Sequence, residues 1–350
     1  MWRYRDFIPV PRGIRIVSMM EGGTPLIRLK SIEKRLGTAG IWMKFEGSNP
    51  TGSFKDRGMT VAITIAGALG SKRVISASTG NTAASMSAYA RRAGIEPIVM
   101  VPKNGIAEGK ISQLALYGAR ILEIAGNFDA AMKKALEISE KDKEIYLMNS
   151  VNPWRIEGQK TIAFEIIEEL GVPDWIVIPV GNGGNTYAIW KGLKELRKLG
   201  IIDSLPKLLI VQAEGASPIV NAVRTGKFRE VSSPQTIASA IRIGSPLHWE
   251  RVLAAVRESG GNAVDVEDRE ILDSQLQLAR EGGIGVESAS ASTLAGLLKA
   301  LEERIVERGE SAVLIGTGSA LKEGSALLSR FPPSIIQVEG ESQVIEEIRR

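Results

Sequence analysis

The middle of the chain repeats one pattern, in which a short apolar run is followed by a longer amphipathic stretch. The successive pairs are residues 74–77 with 81–93, 97–101 with 107–117, 121–124 with 128–140, and 145–148 with 156–170. Apolar runs of this length read as strands, and the stretches between them as helices. The alternation therefore predicts crossover units on a parallel sheet that is covered by helices on both faces.

The pattern extends beyond this central region in both directions. Further apolar runs occur at residues 41–45, 175–180, 208–213, 312–315 and 335–338. So many strands, with a break in the pattern near Ser150, exceed what one compact sheet unit needs. We predict an α/β fold with two doubly wound parallel-sheet domains.

Composition excludes several classes of site. The 350 residues are 44% hydrophobic and 24% charged, which suits a soluble globular protein of one to three domains with an ample core. No cysteine occurs, so disulfides, thiolate catalysis and cysteine-based metal sites are excluded. The single histidine, His248, leaves no histidine-based zinc site and no Ser-His-Asp triad, and we interpret it as structural.

Charge and hydropathy argue against two kinds of partner. The formal net charge is only +4, and basic residues are interspersed with acidic ones, so a nucleic-acid partner is not indicated. No apolar run reaches the roughly 18 residues that a membrane span needs. We predict a cytoplasmic protein without a membrane segment or a metal site.

Residues 46–58, EGSNPTGSFKDRG, place one lysine where a turn meets a helix. Turn-forming residues precede Lys55, and an apolar, helix-forming run follows from Met59. The free N–H groups and dipole of a helix N-terminus disfavour an ammonium ion and favour anions. Lys55 is therefore a candidate nucleophilic amine beside a phosphate site. A lone lysine is more commonly a solvated charge, so the context decides between the two interpretations.

A nucleotide-binding P-loop is the first alternative for this stretch. Gly47 and Gly52 have the spacing of the two glycines of a P-loop. The lysine of that motif should directly follow the second glycine, but position 53 is Ser and Lys55 comes two residues later. The spacing argues against a P-loop.

Three loops after predicted strands are small and polar: 78–82 (STGNT), 181–185 (GNGGN) and 316–319 (GTGS). Ligands of parallel sheets bind where strands end and helices begin. The first loop suits a carboxylate held by backbone N–H groups, although an ordinary helix cap is the simpler reading. The second suits a phosphate, because glycines let backbone N–H groups approach closely. A plain tight turn is the alternative for this second loop. A dinucleotide-binding motif is not indicated, because Thr186 stands where its third glycine should be.

Residues 49–59, NPTGSFKDRGM, resemble the lysine segment of pyridoxal-phosphate enzymes of the tryptophan-synthase-β type (fold type II), and within them the threonine synthases. Residues 78–85, STGNTAAS, are more similar to threonine synthases than to serine/threonine dehydratases, which tend to have histidine after the asparagine. The resemblance runs from the first residues to about Lys322, with the motifs in the family's order.

This resemblance implies a cofactor, pyridoxal 5'-phosphate, bound between a large domain (1–56 with 151–350) and a small, mobile α/β domain (57–150). Lys55 would be the catalytic amine joined to the cofactor, and Asn81 would bind its 3-hydroxyl group. The phosphate would lie on Gly181, Asn182, Gly183, Gly184 and Asn185. Thr317 would face the pyridine nitrogen. Because a hydroxyl supplies no counter-charge, we expect a weak electron sink, which favours elimination and replacement over transamination.

The resemblance also implies a second anion site, for a phosphorylated amino-acid substrate. The matched positions are Ser78, Thr82, Lys110, Ser150, Arg155, Asn182 and Arg242. Arginine suits bidentate phosphate recognition, although each of these cations alone is more often a surface charge. A homodimer is implied as well.

The implied reaction is threonine synthesis from O-phospho-L-homoserine and water, with release of phosphate. Three positions depart from the family, which commonly has proline, histidine and glycine where Ser288, Ser319 and Ala320 stand. These departures leave the exact substrate open. The alternatives are a cysteate-forming enzyme, a threonine or serine dehydratase, and a non-enzymatic cofactor-binding protein.

Overall fold

The structure, a computed structural model, describes residues 1–103, 108–126, 128–333, 335–338 and 348–349. The strands are β1 Leu26–Arg28, β2 Gly40–Phe45, β3 Arg73–Ala77, β4 Glu96–Pro102, β5 Arg120–Ile124, β6 Ile145–Leu147, β7 Trp175–Pro179, β8 Lys207–Ala213, β9 Asn262–Val266 and β10 Ser311–Gly316. The α-helices are α1 Lys30–Leu36, α2 Lys55–Ala68, α3 Asn81–Ala93, α4 Glu108–Leu116, α5 Phe128–Lys141, α6 Trp154–Gln159, α7 Thr161–Leu170, α8 Gly184–Lys198, α9 Pro218–Thr225, α10 Trp249–Ser259, α11 Asp268–Arg280, α12 Ser288–Glu302 and α13 Gly324–Arg330.

These strands form two sheets. The larger has the order β1-β2-β10-β7-β8-β9, and all its pairs are parallel except β1 with β2. The smaller has the order β5-β4-β3-β6 and is entirely parallel. The predicted α/β class with two parallel sheets is therefore confirmed.

Strands in the centre of the larger sheet are buried on both faces. Along β7, Trp175 and Val177 pack into the core on one face, whereas Ile176 and Ile178 pack into the core on the other. Helices cover both faces, so every residue of this strand is apolar and buried. This double burial produced the continuous apolar runs by which the strands were predicted.

Eight of the nine predicted strands are present, with ends that shift by one residue at most. The predicted strand at 335–338 is wrong, since these described residues form no strand and leave Ile335 and Ile336 exposed. The predicted helix at 156–170 is divided into α6 and α7 at Lys160, where a tight turn joins the Ala163 N–H to the Lys160 carbonyl at 3.1 Å. Within the described parts of the chain, no helix is both long and apolar enough to cross a membrane.

Helices α2 and α6 cross at two glycines. A Cβ atom at Gly158 would lie 1.8 Å from the carbonyl oxygen of Arg57, and one at Gly58 would lie 2.8 Å from that of Arg155. No side chain fits between the two backbones. This crossing joins the segment that enters the smaller sheet to the segment that leaves it.

We predict that Gly158→Ala lowers the free energy of unfolding by about 3 kcal/mol, because the added methyl group forces the two helices apart. Gly67→Ala in α2 is the matched control. Its Cβ would meet nothing within 4 Å, so it should raise stability by about 0.5–1 kcal/mol through helix propensity. Urea denaturation of the two variants measures both effects, and equal stabilities would contradict the tight crossing.

Candidate active site

The loops that carry the predicted site residues converge because of the strand order. In the larger sheet β2, β10 and β7 are parallel neighbours, so the segments after them leave from one edge. These segments are 46–54, 317–319 and 180–183. In the smaller sheet β3 and β6 are parallel neighbours as well, which brings the loops after Ala77 and Leu147 together.

Lys55 is the first residue of α2, at the predicted loop-to-helix junction. Buried contacts of the residues that follow Lys55 hold its backbone in place. Arg57 is fully buried, and its guanidinium donates to Glu46 at 2.7 Å and to Glu165 at 2.6 Å. Lys44 adds a second cation 3.0 Å from Glu165. A buried charge cluster with its hydrogen bonds satisfied thus sets the start of α2.

Asp56 fixes the other side of the same turn. Its carboxylate accepts hydrogen bonds from the Thr51 backbone N–H at 2.7 Å and from the Ser85 hydroxyl at 2.6 Å. Burial raises the pKa of Asp56 to about 6, while these hydrogen bonds oppose the rise. Because Ser85 lies in α3, Asp56 ties the lysine-bearing turn to the helix that follows the 78–82 loop.

The amine of Lys55 lies 4.2 Å from the centre of the Phe54 ring. The pKa of this amine is lowered to about 7, mainly by burial and in part by the positive charge of Arg155, while Glu287 opposes the shift. At neutral pH a large fraction of Lys55 is therefore uncharged and nucleophilic. The sequence indicated only the helix N-terminus as a reason for such an amine, and the structure adds burial.

Asn81 and Thr317 meet at one buried carboxylate, that of Glu287. The Asn81 amide nitrogen lies 2.9 Å from Glu287 Oε2, and the Thr317 hydroxyl lies 3.0 Å from Oε1. Thr317 also contacts the Ser290 hydroxyl at 2.9 Å. Asn81 and Thr317 follow strands of different sheets and were predicted to contact the same cofactor ring. The Glu287 side chain holds both of them.

The glycine-rich loop leads into the 15-residue helix α8, with Gly183 in the left-handed region at φ 80°. A Cβ atom at Gly183 would lie 2.6 Å from Val252, so no larger residue fits. Both amide atoms of Asn185 and the hydroxyl of Thr186 are buried without a hydrogen-bond partner in the part of the chain that the structure describes. Unpaired polar groups at a helix N-terminus fit a phosphate group.

Arg155 is buried, with 3% of its surface exposed. Its Nη1 donates to the Met148 carbonyl at 3.1 Å, whereas its Nε has no partner among the described residues. Burial lowers the pKa of Arg155 to about 10. A buried guanidinium without a carboxylate beside it is costly, and a bound anion would remove that cost.

The other predicted substrate residues make different hydrogen-bond contacts in the structure. Thr82 lies 3.5 Å from Arg155, and the Ser78 hydroxyl accepts from the Gly80 N–H at 3.2 Å. Ser150 contributes its carbonyl oxygen, which lies 3.1 Å from His248 Nε2.

Arg242 and Lys110 are the two remaining predicted cations. Arg242 follows a turn that packs on Gly181, but its side chain is exposed and makes no hydrogen bond or ion pair with the described residues. Lys110 belongs to α4, and its side chain lies outside the described residues.

His248 supports the glycine-rich loop. Its backbone N–H donates to the Asn182 carbonyl at 3.1 Å, and its ring stacks on Tyr187 with a centroid distance of 6.2 Å. Burial lowers the pKa of His248 and so favours the neutral ring. These contacts agree with the structural role that the sequence predicted.

Sequence reasoning missed Glu287, Ser290 and Lys322. The Lys322 amine donates to the Thr51 carbonyl at 2.6 Å and to Gln113 at 2.7 Å, and so joins the lysine loop to α4. The one sequence signal was at Glu287, a lone acidic residue between an apolar strand-like run and the small-residue stretch SASAS.

Comparison with known proteins places the chain in a recognised group. The family model described as pyridoxal-phosphate dependent enzyme matches residues 17–318. The threonine synthase of Methanocaldococcus jannaschii is 49% identical over 353 residues, covering 99% of this chain and 86% of that protein. The threonine synthase of Mycobacterium bovis is 48% identical over 330 residues, covering 94% and 90%.

Solved structures agree on the fold. Maize serine racemase superposes with a TM-score of 0.75 at 22% identity, covering 93% of this chain and 94% of that one. The processed form of threonine deaminase isoform 2 from Solanum lycopersicum gives a TM-score of 0.71 at 23% identity, covering 89% and 94%. At these identities the likeness concerns the fold alone.

We predict that Lys55 of the cofactor-free protein reacts with a small aldehyde, trapped by borohydride, with a midpoint near pH 7. The rate should rise with pH to that point and level off above it, since only the neutral amine attacks. An ordinary lysine would have its midpoint near pH 10.4. Peptide mapping of the labelled lysine measures the profile.

Arg155→Met should move this midpoint upward, because it removes a neighbouring positive charge. A Lys55 midpoint near pH 10 in the unaltered protein would contradict the burial argument.

Proposed function

The chain belongs to the family of pyridoxal-phosphate dependent enzymes, and we infer that it is a lyase that converts O-phospho-L-homoserine and water into L-threonine and phosphate. The observation that carries the substrate assignment is Arg155. A buried guanidinium with no carboxylate partner among the described residues calls for an anion, and the substrate brings one as its phosphate group.

We propose that the cofactor is held by residues from both sheets. Lys55 would bind it covalently, Asn81 its ring hydroxyl, Thr317 its ring nitrogen, and Gly181, Asn182, Gly183, Gly184 and Asn185 its phosphate. The unpaired amide of Asn185 at the start of α8 supports the phosphate position. When bound, pyridoxal phosphate supplies an aldehyde for the substrate amine and a conjugated ring that accepts electrons from a broken Cα–H bond.

Lys55 has the properties that proton transfer requires. An amine with a pKa of about 7 accepts and returns protons at neutral pH with nearly equal ease. After release from the cofactor it would take a proton from Cα of the substrate and move protons at Cβ. Asp56 and Arg57 hold its backbone on the C-terminal side, so the amine stays within reach of both carbons.

The substrate would lie between the two sheets. We propose that Arg155 and Thr82 hold the phosphate, with Ser150, Arg242, Lys110 and Asn182 at its margin. The backbone N–H groups of 78–82, at the N-terminus of α3, would receive the carboxylate. Loss of a Cβ proton to Lys55 would expel the phosphate from Cγ together with the electrons of the C–O bond, and Arg155, already paired with this anion, would stabilise the departing charge. Water would then add at Cβ.

We also propose that residues 1–56 with 151–350 form one domain and 57–150 a smaller, mobile one. The distribution of strands supports this division, since β3 to β6 all belong to the smaller sheet. A homodimer is carried over from the family resemblance, and a cytoplasmic location from the composition and hydropathy of the sequence. Light scattering of the purified protein tests the dimer.

The purified protein should release threonine and phosphate in equal amounts from O-phospho-L-homoserine. Lys55→Ala should abolish both products and the visible absorbance of the bound cofactor, because the amine joins the cofactor and moves the protons. Turnover of O-phosphoserine, or formation of 2-oxobutanoate from threonine, at a higher kcat/KM would instead assign the chain to the β-replacing or dehydrating enzymes.

Arg155→Met should lower kcat/KM for the phosphorylated substrate by roughly 100-fold, the effect of losing charged hydrogen bonds worth about 1.5–3 kcal/mol. The same change should leave the cofactor absorbance intact. It should also raise the melting temperature of the ligand-free protein, because an unpaired buried charge is replaced by a side chain that needs no partner. Unchanged kinetics would refute the anion site.

A further inference from the structure

The single histidine of the chain, His248, contacts two loops of the proposed substrate site. Its ring nitrogen Nε2 lies 3.1 Å from the Ser150 carbonyl, in the loop after β6. Its backbone N–H donates to the Asn182 carbonyl at 3.1 Å, and the neighbouring Leu247 N–H donates to the side-chain oxygen of Asn182 at 3.3 Å. One short segment thus contacts two residues at the proposed margin of the substrate phosphate.

The contact between His248 and Ser150 has a fixed direction. A carbonyl oxygen only accepts, so His248 Nε2 must carry a proton and donate it. In the neutral ring this leaves Nδ1 without a proton. Packing fixes the ring, because it stacks on Tyr187 and a Cβ atom at Gly184 would lie only 3.4 Å from His248 Cδ2. Ser150 is therefore held from a fixed point.

This hydrogen bond joins the two sheets. The neighbour of Ser150, Asn149, is tied to the smaller sheet, since its side chain accepts the Ala77 N–H at 3.0 Å and donates to the Ala77 carbonyl at 2.9 Å. His248 directly precedes α10, whose apolar side chains pack in the core of the larger sheet. The position of Ser150 thus depends on both sheets.

Residues 247 and 248 present only hydrogen-bond donors to these two residues, and so they occupy acceptors. The Ser150 carbonyl and both oxygens of Asn182 are taken up. The groups left over are donors: the N–H and hydroxyl of Ser150 and the NH₂ group of Asn182, none of which donates to a residue that the structure describes. A phosphate group needs such donors, because it accepts hydrogen bonds at every oxygen that carries charge.

We infer that His248 is a positioning residue for the substrate phosphate, which turns the free donors of Ser150 and Asn182 toward an anion at Arg155. The inference rests on the proposed function, which places these residues around that phosphate. It goes beyond the structural role predicted from the sequence. His248 touches no reacting atom in this arrangement, and acts through the two residues that it holds.

The charges around His248 indicate how the anion site can be observed. Burial is the main cause that lowers the pKa of His248, the bond to Ser150 opposes it, and the positive charges of Arg251 and Arg155 lower the pKa further. Arg251 lies over the Tyr187 ring at 4.5 Å, beside a cavity of about 500 Å³. The other charged residues of this cavity are Glu157, Lys191 and Glu250. An anion bound to Arg155 would offset its charge and make protonation of His248 easier.

Because the chain has one histidine, nuclear magnetic resonance can follow this ring alone. The experiment loads the full-length protein with pyridoxal phosphate, labels histidine with ¹⁵N and ¹³C, and titrates pH with and without inorganic phosphate. Chloride keeps the ionic strength constant. We expect the Nε2–H form in the neutral ring, and a pKa of His248 that rises when phosphate is present.

Two arginine variants separate the anion site from the rest of the surroundings. Arg155→Met should abolish the phosphate-dependent rise, because the anion loses its buried partner. Arg251→Gln is the matched control, since it removes the other cation that acts on the ring. It should raise the pKa of His248 before phosphate is added, and phosphate should still raise it further.

His248→Leu tests the positioning role in the reaction, because it removes the donor to Ser150 and keeps an apolar side chain. We expect KM for O-phospho-L-homoserine to rise roughly tenfold, with kcat and the cofactor absorbance nearly unchanged. His248→Gln has an amide NH₂ group in place of Nε2–H and should restore most of this loss. Equal KM values for the two variants would show that His248 only fills space.

A pKa of His248 that ignores phosphate, or an Nδ1–H form of the neutral ring, would overturn the inference. Both are measured in the unaltered protein, so they decide the matter even where His248→Leu does not fold. Failure of the proposed function gives a different result. An enzyme that makes threonine while its histidine ignores phosphate contradicts only the role of His248, whereas a loaded protein that forms no threonine contradicts the function.

Discussion

The buried guanidinium of Arg57 is the contact on which the geometry of the site depends. It joins Glu46, which follows β2, to Glu165 in α7, and it also donates to the Thr24 hydroxyl at 3.0 Å. Three distant segments are thereby held to the first turn of α2. Removing any one partner would leave a buried charge uncompensated, so these contacts fix the start of α2 in one position. Lys55 lies two residues away and inherits that position.

The fold was largely predictable because its central strands are buried on both faces and so appear as uninterrupted apolar runs. Two strand predictions failed because they relied on the same apolar character. Strand β9 was missed because it contains Asp265, whose charge is paired with Arg224 at 2.8 Å, a contact between residues far apart in the sequence. The run that includes Ile335 and Ile336 is apolar enough for a strand, but apolar character alone cannot show that the run finds no core to enter.

The site was predictable where its chemistry is local. Lys55, the 78–82 loop and the glycine-rich loop can each be identified within a few residues. Glu287 and Lys322 cannot, because their partners Asn81 and Thr51 are 206 and 271 residues away. Sequence reasoning also treated Arg155 and Arg242 alike. Only packing distinguishes a guanidinium enclosed beside the lysine amine from one that faces solvent.

The crossing of α2 and α6 has a mechanical consequence. These two helices carry the chain into and out of the smaller sheet, and at Gly58 and Gly158 their backbones approach closely, with the Gln159 side chain beside Gly58. Such a close contact resists separation of the two helices more than rotation about the point of contact. We expect the smaller sheet to swing about this pivot. Lys55 and Arg155 each lie three residues from a pivot glycine, near the axis, where a rotation displaces atoms least.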